Sequence, residues 1–175
     1  MDWKTLIFDL IDLRSFSNLW YWIALAVTWS TASHWVLGVP YDMVLRARRS
    51  GGQAETDLED MVRINVNRIL YITREAGLIL ITFFAFVLTT LVMLGFVYRN
   101  EFSQALILIA APLSVVALMS VATALRIEAT GERGEALRRR LSVHRVGVQI
   151  IGMISIFITA IWGMLQNFNV SILPG

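Results

Sequence analysis

The chain has 175 residues and no cysteine; hydrophobic residues make up 57% of it and charged residues 16%. A soluble domain of this size still exposes about a third of its unfolded surface, so this composition excludes disorder and argues against a soluble enzyme. The absence of cysteine excludes disulfides and thiolate metal sites, and a formal net charge of +2 gives no indication of nucleic-acid binding.

The first 18 residues have an amphipathic pattern at helical spacing. Their acidic residues stand where a cleavable signal peptide would be basic. We expect a short helix lying on the outer membrane surface; an extension of the following span is the alternative. The apolar face holds Trp3, Leu6, Ile7, Leu10 and Leu13, and the polar face holds Asp2, Thr5, Asp9 and Asp12.

Four stretches are long and apolar enough to cross a membrane, and none contains Asp, Glu, Lys or Arg. A span needs about 20 apolar residues, and it must be helical to satisfy its own backbone in lipid. The sequence therefore predicts an all-α fold, a four-helix bundle integral to the membrane in one domain over residues 1–175. The predicted spans are 19–39, 76–98, 105–125 and 146–168.

The connections between the spans predict their orientation. Only residues 99–104 join the second and third spans, whereas 40–75 and 126–145 are long and hold twelve of the fifteen lysines and arginines. Such an excess marks the cytoplasmic side. We therefore expect a multi-pass membrane protein with both long segments in the cytoplasm and both termini outside.

The first cytoplasmic segment contains a predicted helix start. Thr56 and Glu59 have the spacing of a capping box, so a helix should begin near Asp57 and run without interruption to Tyr98, extending the second span into the cytoplasm.

A polar face follows on this predicted helix, because Arg63, Asn67 and Tyr71 are spaced four residues apart. Residues at this spacing are neighbours on a helix, and a guanidinium beside an amide can hold a carboxylate or phosphate. The alternative is a solvated face stabilised by pairs such as Glu59–Arg63.

Basic residues near the membrane form a second candidate site. Clusters of this kind contact anionic lipid head groups or a docking partner, and Arg46, Arg138, Arg139 and Arg140 are the candidates. His144 is interpreted as a residue of the membrane interface.

The fourth span carries small residues in register. Gly152, Ser155, Thr159 and Gly163 predict a face for close helix packing, within the chain or between copies.

Three stretches resemble small bacterial inner-membrane proteins labelled "component of SufBCD complex". These stretches cover residues 1–27, 33–68 and 149–164. The resemblance implies a location in the bacterial inner membrane and proximity to iron–sulfur cluster assembly, and it brings no catalytic residues with it. Because the chain lacks cysteine, such a role would be anchoring or regulatory.

A second resemblance is to the MAPEG family, four-helix membrane enzymes of eicosanoid and glutathione metabolism that form homotrimers. Its second-helix pattern is matched by Glu59, Arg63, Asn67 and Tyr71, with Leu70 in place of its second acid. The resemblance implies glutathione as cofactor. It also implies that Arg48 and Arg49 are loop arginines of the binding site and that Arg145 stabilises the thiolate.

Two functional hypotheses follow, with a lipid-binding or transport role as a further alternative. The first is a non-enzymatic accessory or docking subunit that uses its arginine-rich cytoplasmic segments, with no cofactor and no metal. Its partners would be membrane lipids and either further copies of itself or another membrane protein. The second is a glutathione-binding or glutathione-dependent membrane enzyme, in which Arg48, Arg49, Arg63, Asn67 and Tyr71 bind the tripeptide and Arg145 lowers the thiol pKa.

Overall fold

The computed structural model describes Phe16 and residues 18–171, so the amphipathic helix predicted over residues 1–18 lies almost wholly outside the described residues. The elements in chain order are α1 (Leu19–His34), β1 (Trp35–Val36), β2 (Val39–Pro40), α2 (Tyr41–Ser50), α3 (Gly52–Val92), α4 (Glu101–Thr130) and α5 (Gly134–Ser171). A π-helical turn, Met93–Val97, continues α3.

The predicted helical fold class is confirmed, and three helices among the described residues are long and apolar enough to cross a membrane. They are Gly52–Val97, Glu101–Thr130 and Gly134–Phe168, which contain three of the four predicted spans to within one residue. The first predicted span contains α1, which has 16 residues and is shorter than the roughly 20 that a straight crossing needs.

The prediction of a helix over residues 35–39 is wrong. The chain leaves α1 at His34 and forms a hairpin in which Trp35 pairs with Pro40 and Val36 with Val39. The two residues at its turn, Leu37 and Gly38, have φ of +52° and +75°, as a tight hairpin of this kind requires. Leu37 is only 4% exposed, and its burial offsets the roughly 1–2 kcal/mol cost of the left-handed backbone.

The predicted long second helix is confirmed, and its predicted start is wrong. α3 begins at Gly52 and continues for 41 residues, about 60 Å at 1.5 Å per residue. Thr56 lies one turn inside the helix, where its hydroxyl donates to the Gly52 carbonyl at 3.4 Å. Glu59 does not cap the helix; its carboxylate accepts from the Gly134 amide at 2.8 Å. The reversal at Gly51, with φ 57° and ψ −154°, leads directly from α2 into α3.

The two long connecting segments pack together at one end of the long helices. We call this region the head: residues 35–75 with residues 124–145. A single apolar core joins the hairpin, α2, the first half of α3, the end of α4 and the start of α5. Its buried residues are Val36, Leu37, Val39, Val44, Ala47, Leu58, Val62, Val66, Leu70, Ala124, Ile127, Leu137 and Leu141.

A second apolar cluster joins α1, α4 and α5 beyond the head. Leu25 and Trp29 of α1 pack there with Val148 of α5, against α4 side chains that include Leu113 and Val116. The apolar half of α3 is not packed in this way, because none of the residues in its most apolar stretch is buried within the chain.

The small-residue face predicted on the fourth span is confirmed as a packing face, and it packs within the chain. Gly152 lies against the ring of Trp29, and Gly163 lies against Phe16. The Ser155 hydroxyl donates to the Leu108 carbonyl at 3.3 Å. The missing side chain at Gly152 therefore lets α1 approach α5 closely, and the one at Gly163 leaves room for Phe16, which precedes α1.

Candidate functional site in the head

A groove with charged walls runs between α3 and the α4–α5 connection. Its larger cavity has a volume of about 370 Å³ and a floor of Val62, Val66, Ile127 and Leu137. The charged side chains that line it are Glu59, Asp60, Arg63, Glu128, Glu132 and Arg133.

A second cavity adjoins the first and continues the groove along α3. It has a volume of about 330 Å³, shares Asn67 and Glu128 with the first cavity, and adds Tyr71, Arg74 and Glu75. We call the two cavities together the head groove. Its walls carry both signs of charge above an apolar floor, an arrangement suited to a ligand or peptide that itself bears charged and apolar groups.

The polar face predicted on α3 lines this groove. Arg63 and Asn67 contribute to the first cavity, and Asn67 and Tyr71 contribute to the second. Arg63 pairs with Asp60 at 3.2 Å, not with Glu59 as the alternative interpretation expected. Its side chain remains 63% exposed, so the guanidinium is accessible from the groove.

Three other residues of the glutathione hypothesis lie away from the groove. Arg48 and Arg49 are exposed near the end of α2 and line neither cavity. Arg145 also lines neither cavity, because it is directed to the junction of α1 and α2. There its Nε donates to the Ser33 carbonyl at 3.1 Å, and its Cζ lies 4.0 Å from the centroid of the Tyr41 ring.

Of the four arginines predicted to contact lipid or a partner, three form ion pairs and one forms none with any described residue. Arg138 pairs with Glu55, and Arg140 binds Glu132, with Nε donating to Oε2 at 2.9 Å. Arg139 lies between them in sequence, is exposed, and has no ion pair or hydrogen bond from its side chain to any described residue. Arg46 reaches Asp42 at 3.9 Å, and both side chains are mostly exposed.

The ion pair at the α4–α5 connection lowers the pKa of one carboxylate. The hydrogen bond from Arg140 holds the pKa of Glu132 below its ordinary value, and partial desolvation acts in the opposite direction. A second ion pair in the same region joins α3 to α4, since Arg74 contacts Glu128 at 2.7 Å. These carboxylates of the groove wall are therefore already matched by arginines.

The two connecting segments contain nine acidic and twelve basic residues. Seven of the acids have a described partner, whereas six of the arginines have none within the part of the chain that the structure describes. The positive excess of the head is thus carried by exposed arginines that no carboxylate of the described residues neutralises. They are Arg48, Arg49, Arg68, Arg126, Arg133 and Arg139.

One residue of this region is placed differently from its prediction, and three others were not predicted. His144, expected at the membrane interface, is only 5% exposed, and its Nδ1 lies 3.0 Å from the Thr123 hydroxyl. Glu128, Glu132 and Arg133 line the groove but carry no motif. The i,i+4 spacing of the two glutamates was the one available signal, and it does not indicate which helix they face.

Over residues 18–168 and Phe16, no group of three or more His, Asp or Glu side chains comes together as metal ligands. Comparison of the chain with protein-family models, with curated proteins and with solved structures finds no match. The two family resemblances therefore rest on the sequence motifs that suggested them.

Proposed function

We propose that this protein is a four-span protein of the bacterial inner membrane, with both termini outside, that serves as a non-enzymatic accessory subunit. Its head would dock a cytoplasmic partner. One observation carries the proposal: two arginine-rich segments, far apart in sequence, pack into one head with its own apolar core at one end of three long apolar helices.

The charge distribution supports an acidic partner. Arg48 and Arg49 lie next to each other on the head, exposed and without a described partner. Complementary charge at the edge of an interface increases the association rate and fixes the orientation of the partner. The head groove adds apolar floor area that a partner segment could bury.

The resemblance to the family labelled "component of SufBCD complex" makes an iron–sulfur assembly complex the first partner to look for. In that role the protein would anchor the complex at the membrane and bind no cluster itself, since it has no cysteine.

The docking proposal is tested by affinity purification from native membranes after mild solubilisation. We expect a stable partner to copurify with the wild-type chain and to be lost with the double variant Arg48→Glu/Arg49→Glu. Arg99→Glu is the matched control, because Arg99 is exposed at the opposite end of the long helices. Recovery of self-oligomers alone, or equal recovery of the partner with the double variant, would reject the proposal.

Reporter fusions test the orientation separately. A reporter that is active only in the cytoplasm should be active when inserted within residues 131–135 and silent when fused after Gly175. The reverse result would place the head outside and reject the cytoplasmic partner.

Glutathione binding is the second candidate function, and one observation favours it. Arg63 and Asn67 line a cavity of about 370 Å³, where a guanidinium can form paired hydrogen bonds with a carboxylate of the tripeptide. Calorimetry in detergent should then detect glutathione binding that Arg63→Ala abolishes. No binding at millimolar glutathione would reject this function.

A further inference from the structure

Two of the long helices carry exposed apolar faces that begin next to the head. On α5, Val143 is 63% exposed, and Val146 and Ile150 are also exposed; on α4, Leu118 is 63% exposed and Leu125 is exposed as well. In a helix that crosses a membrane, such faces contact the acyl chains of lipids.

One arginine stands at the head end of each of these faces. Arg126 directly follows Leu125 and lies four residues after Ala122, and Arg139 lies four residues before Val143. Residues four apart share a helix face, so both arginines continue an exposed apolar face towards the head. Arg139 lies about 10 Å before Val146 along the helix axis, a distance that the head-group layer and a long side chain together can span.

The neighbouring ion pairs leave these two arginines without an acidic partner in the part of the chain that the structure describes. The nearby acids Glu55, Glu128 and Glu132 are occupied by Arg138, Arg74 and Arg140, respectively. Glu135 lies one turn before Arg139 and forms no ion pair with it.

We propose that Arg126 and Arg139 bind the phosphate groups of anionic phospholipids in the leaflet on the side of the head. This inference rests on the proposed crossing of the membrane by α4 and α5, and it is independent of any docking partner. The guanidinium group suits this ligand, because its fork of donors matches two phosphate oxygens. Exposed apolar side chains beside each arginine provide the surface for the acyl chains of the same lipid.

Native mass spectrometry of the full chain, released from detergent with added phosphatidylglycerol or phosphatidylcholine, tests the assignment. We expect the wild-type chain to bind phosphatidylglycerol in preference. Arg126→Gln and Arg139→Gln should each weaken that binding about fivefold, the usual effect of one basic residue at an anionic surface. Circular dichroism should show that both variants keep the wild-type helix content, since neither side chain has a described partner.

Arg133→Gln is the matched control. Arg133 is also exposed and forms no ion pair with a described residue, but it lies in the α4–α5 connection, away from the exposed apolar faces. Equal binding of the two lipids, or an equal loss with Arg133→Gln, would overturn the proposal. Competition by inorganic phosphate at the same concentration would also overturn it, by indicating a site for any anion. Because the assay uses detergent and leaves Arg48 and Arg49 unchanged, its outcome is separate from the docking and orientation tests.

Discussion

The Nε of Arg145 donates a hydrogen bond to the backbone oxygen of Ser33, 3.1 Å away and 112 residues earlier in the chain. Ser33 belongs to the last turn of α1, where the carbonyl groups receive no hydrogen bond from within the helix. The same guanidinium lies over the ring of Tyr41, the first residue of α2. Arg145 therefore joins the end of α1 and the start of α2 to α5.

Replacement of Arg145 should destabilise the protein whether or not it binds glutathione. We expect Arg145→Ala to lower the free energy of unfolding by about 2 kcal/mol, because it removes a charged hydrogen bond and leaves the Ser33 carbonyl without its donor. Arg145→Lys should recover less than half of the loss, since an ammonium group cannot stack flat on Tyr41 while keeping the Nε geometry. Unfolding in detergent, followed by circular dichroism, measures the effect.

Arg139→Ala is the control for this change, because Arg139 is exposed and has no described partner. Its effect should stay within about 0.5 kcal/mol. If Arg145→Ala proved as stable as Arg139→Ala, a role for Arg145 in joining α1 and α2 to α5 would be excluded.

Gly38 at the hairpin turn should resist substitution. Its φ is +75°, and an added Cβ would lie 3.2 Å from the Oδ1 of Asn65. Gly38→Ala therefore combines a left-handed backbone, at about 1–2 kcal/mol, with displacement of an α3 side chain. Gly131→Ala shares the positive φ, at +60°, but its Cβ would meet nothing within 4 Å. The alanine at position 38 should lower the unfolding temperature more than the alanine at 131; equal shifts would contradict the contact argument.

Hydropathy was sufficient to predict the three long helices. Lipid requires a run of about 20 apolar residues and a helical backbone, so charge-free stretches such as 105–125 admit one structure. The packing face at Gly152 and Gly163 was predictable for a related reason, because small residues at helical spacing allow two helices to approach closely.

Hydropathy could not predict the hairpin at Trp35–Pro40. These residues are apolar in either conformation, and the burial of Val36, Leu37 and Val39 in the head core favours the hairpin. The predicted cap at Thr56 failed for a similar reason. The positive φ of Gly51 and Gly52 let the chain reverse directly from one helix into the next, and the cap spacing then fell inside α3.

The candidate site was predictable where it depends on one helix alone. The spacing of Arg63, Asn67 and Tyr71 was enough to assign a shared face. The roles of the other arginines depend on partners far away in sequence: Arg138 pairs with Glu55, 83 residues earlier, whereas Arg139 next to it has no partner among the described residues. No local pattern distinguishes these two neighbours.

Gly152 should be sensitive to substitution because of the close approach of α1. A Cβ at this position would lie 2.8 Å from the Cε3 of Trp29, and Trp29 is itself buried. We expect Gly152→Ala to lower the free energy of unfolding by about 1–3 kcal/mol through overpacking. Gly77→Ala on α3 is the matched control, since its Cβ would meet only a Thr73 methyl at 3.7 Å; it should be neutral or slightly stabilising. Equal losses in thermal unfolding experiments would disprove the packing contact.

The pairing of Glu132 with Arg140 predicts a loss of stability in acid. The hydrogen bond from Arg140 holds the pKa of Glu132 below its ordinary value in the folded chain, whereas the unfolded chain titrates near 4.3. The stabilisation is therefore complete above about pH 4.3 and is lost as the pH falls through the lowered pKa of the folded state.

Glu132→Gln keeps an acceptor for Arg140 and removes the charge. The stability difference between wild type and this variant should be constant from about pH 6 to 8 and shrink below about pH 4.3. Glu75→Gln, which removes a carboxylate without a described partner, is the control for the loss of one negative charge. A wild-type advantage over Glu132→Gln that grew in acid would have the wrong sign for a lowered pKa, and it would mean that Arg140 does not stabilise the charged form.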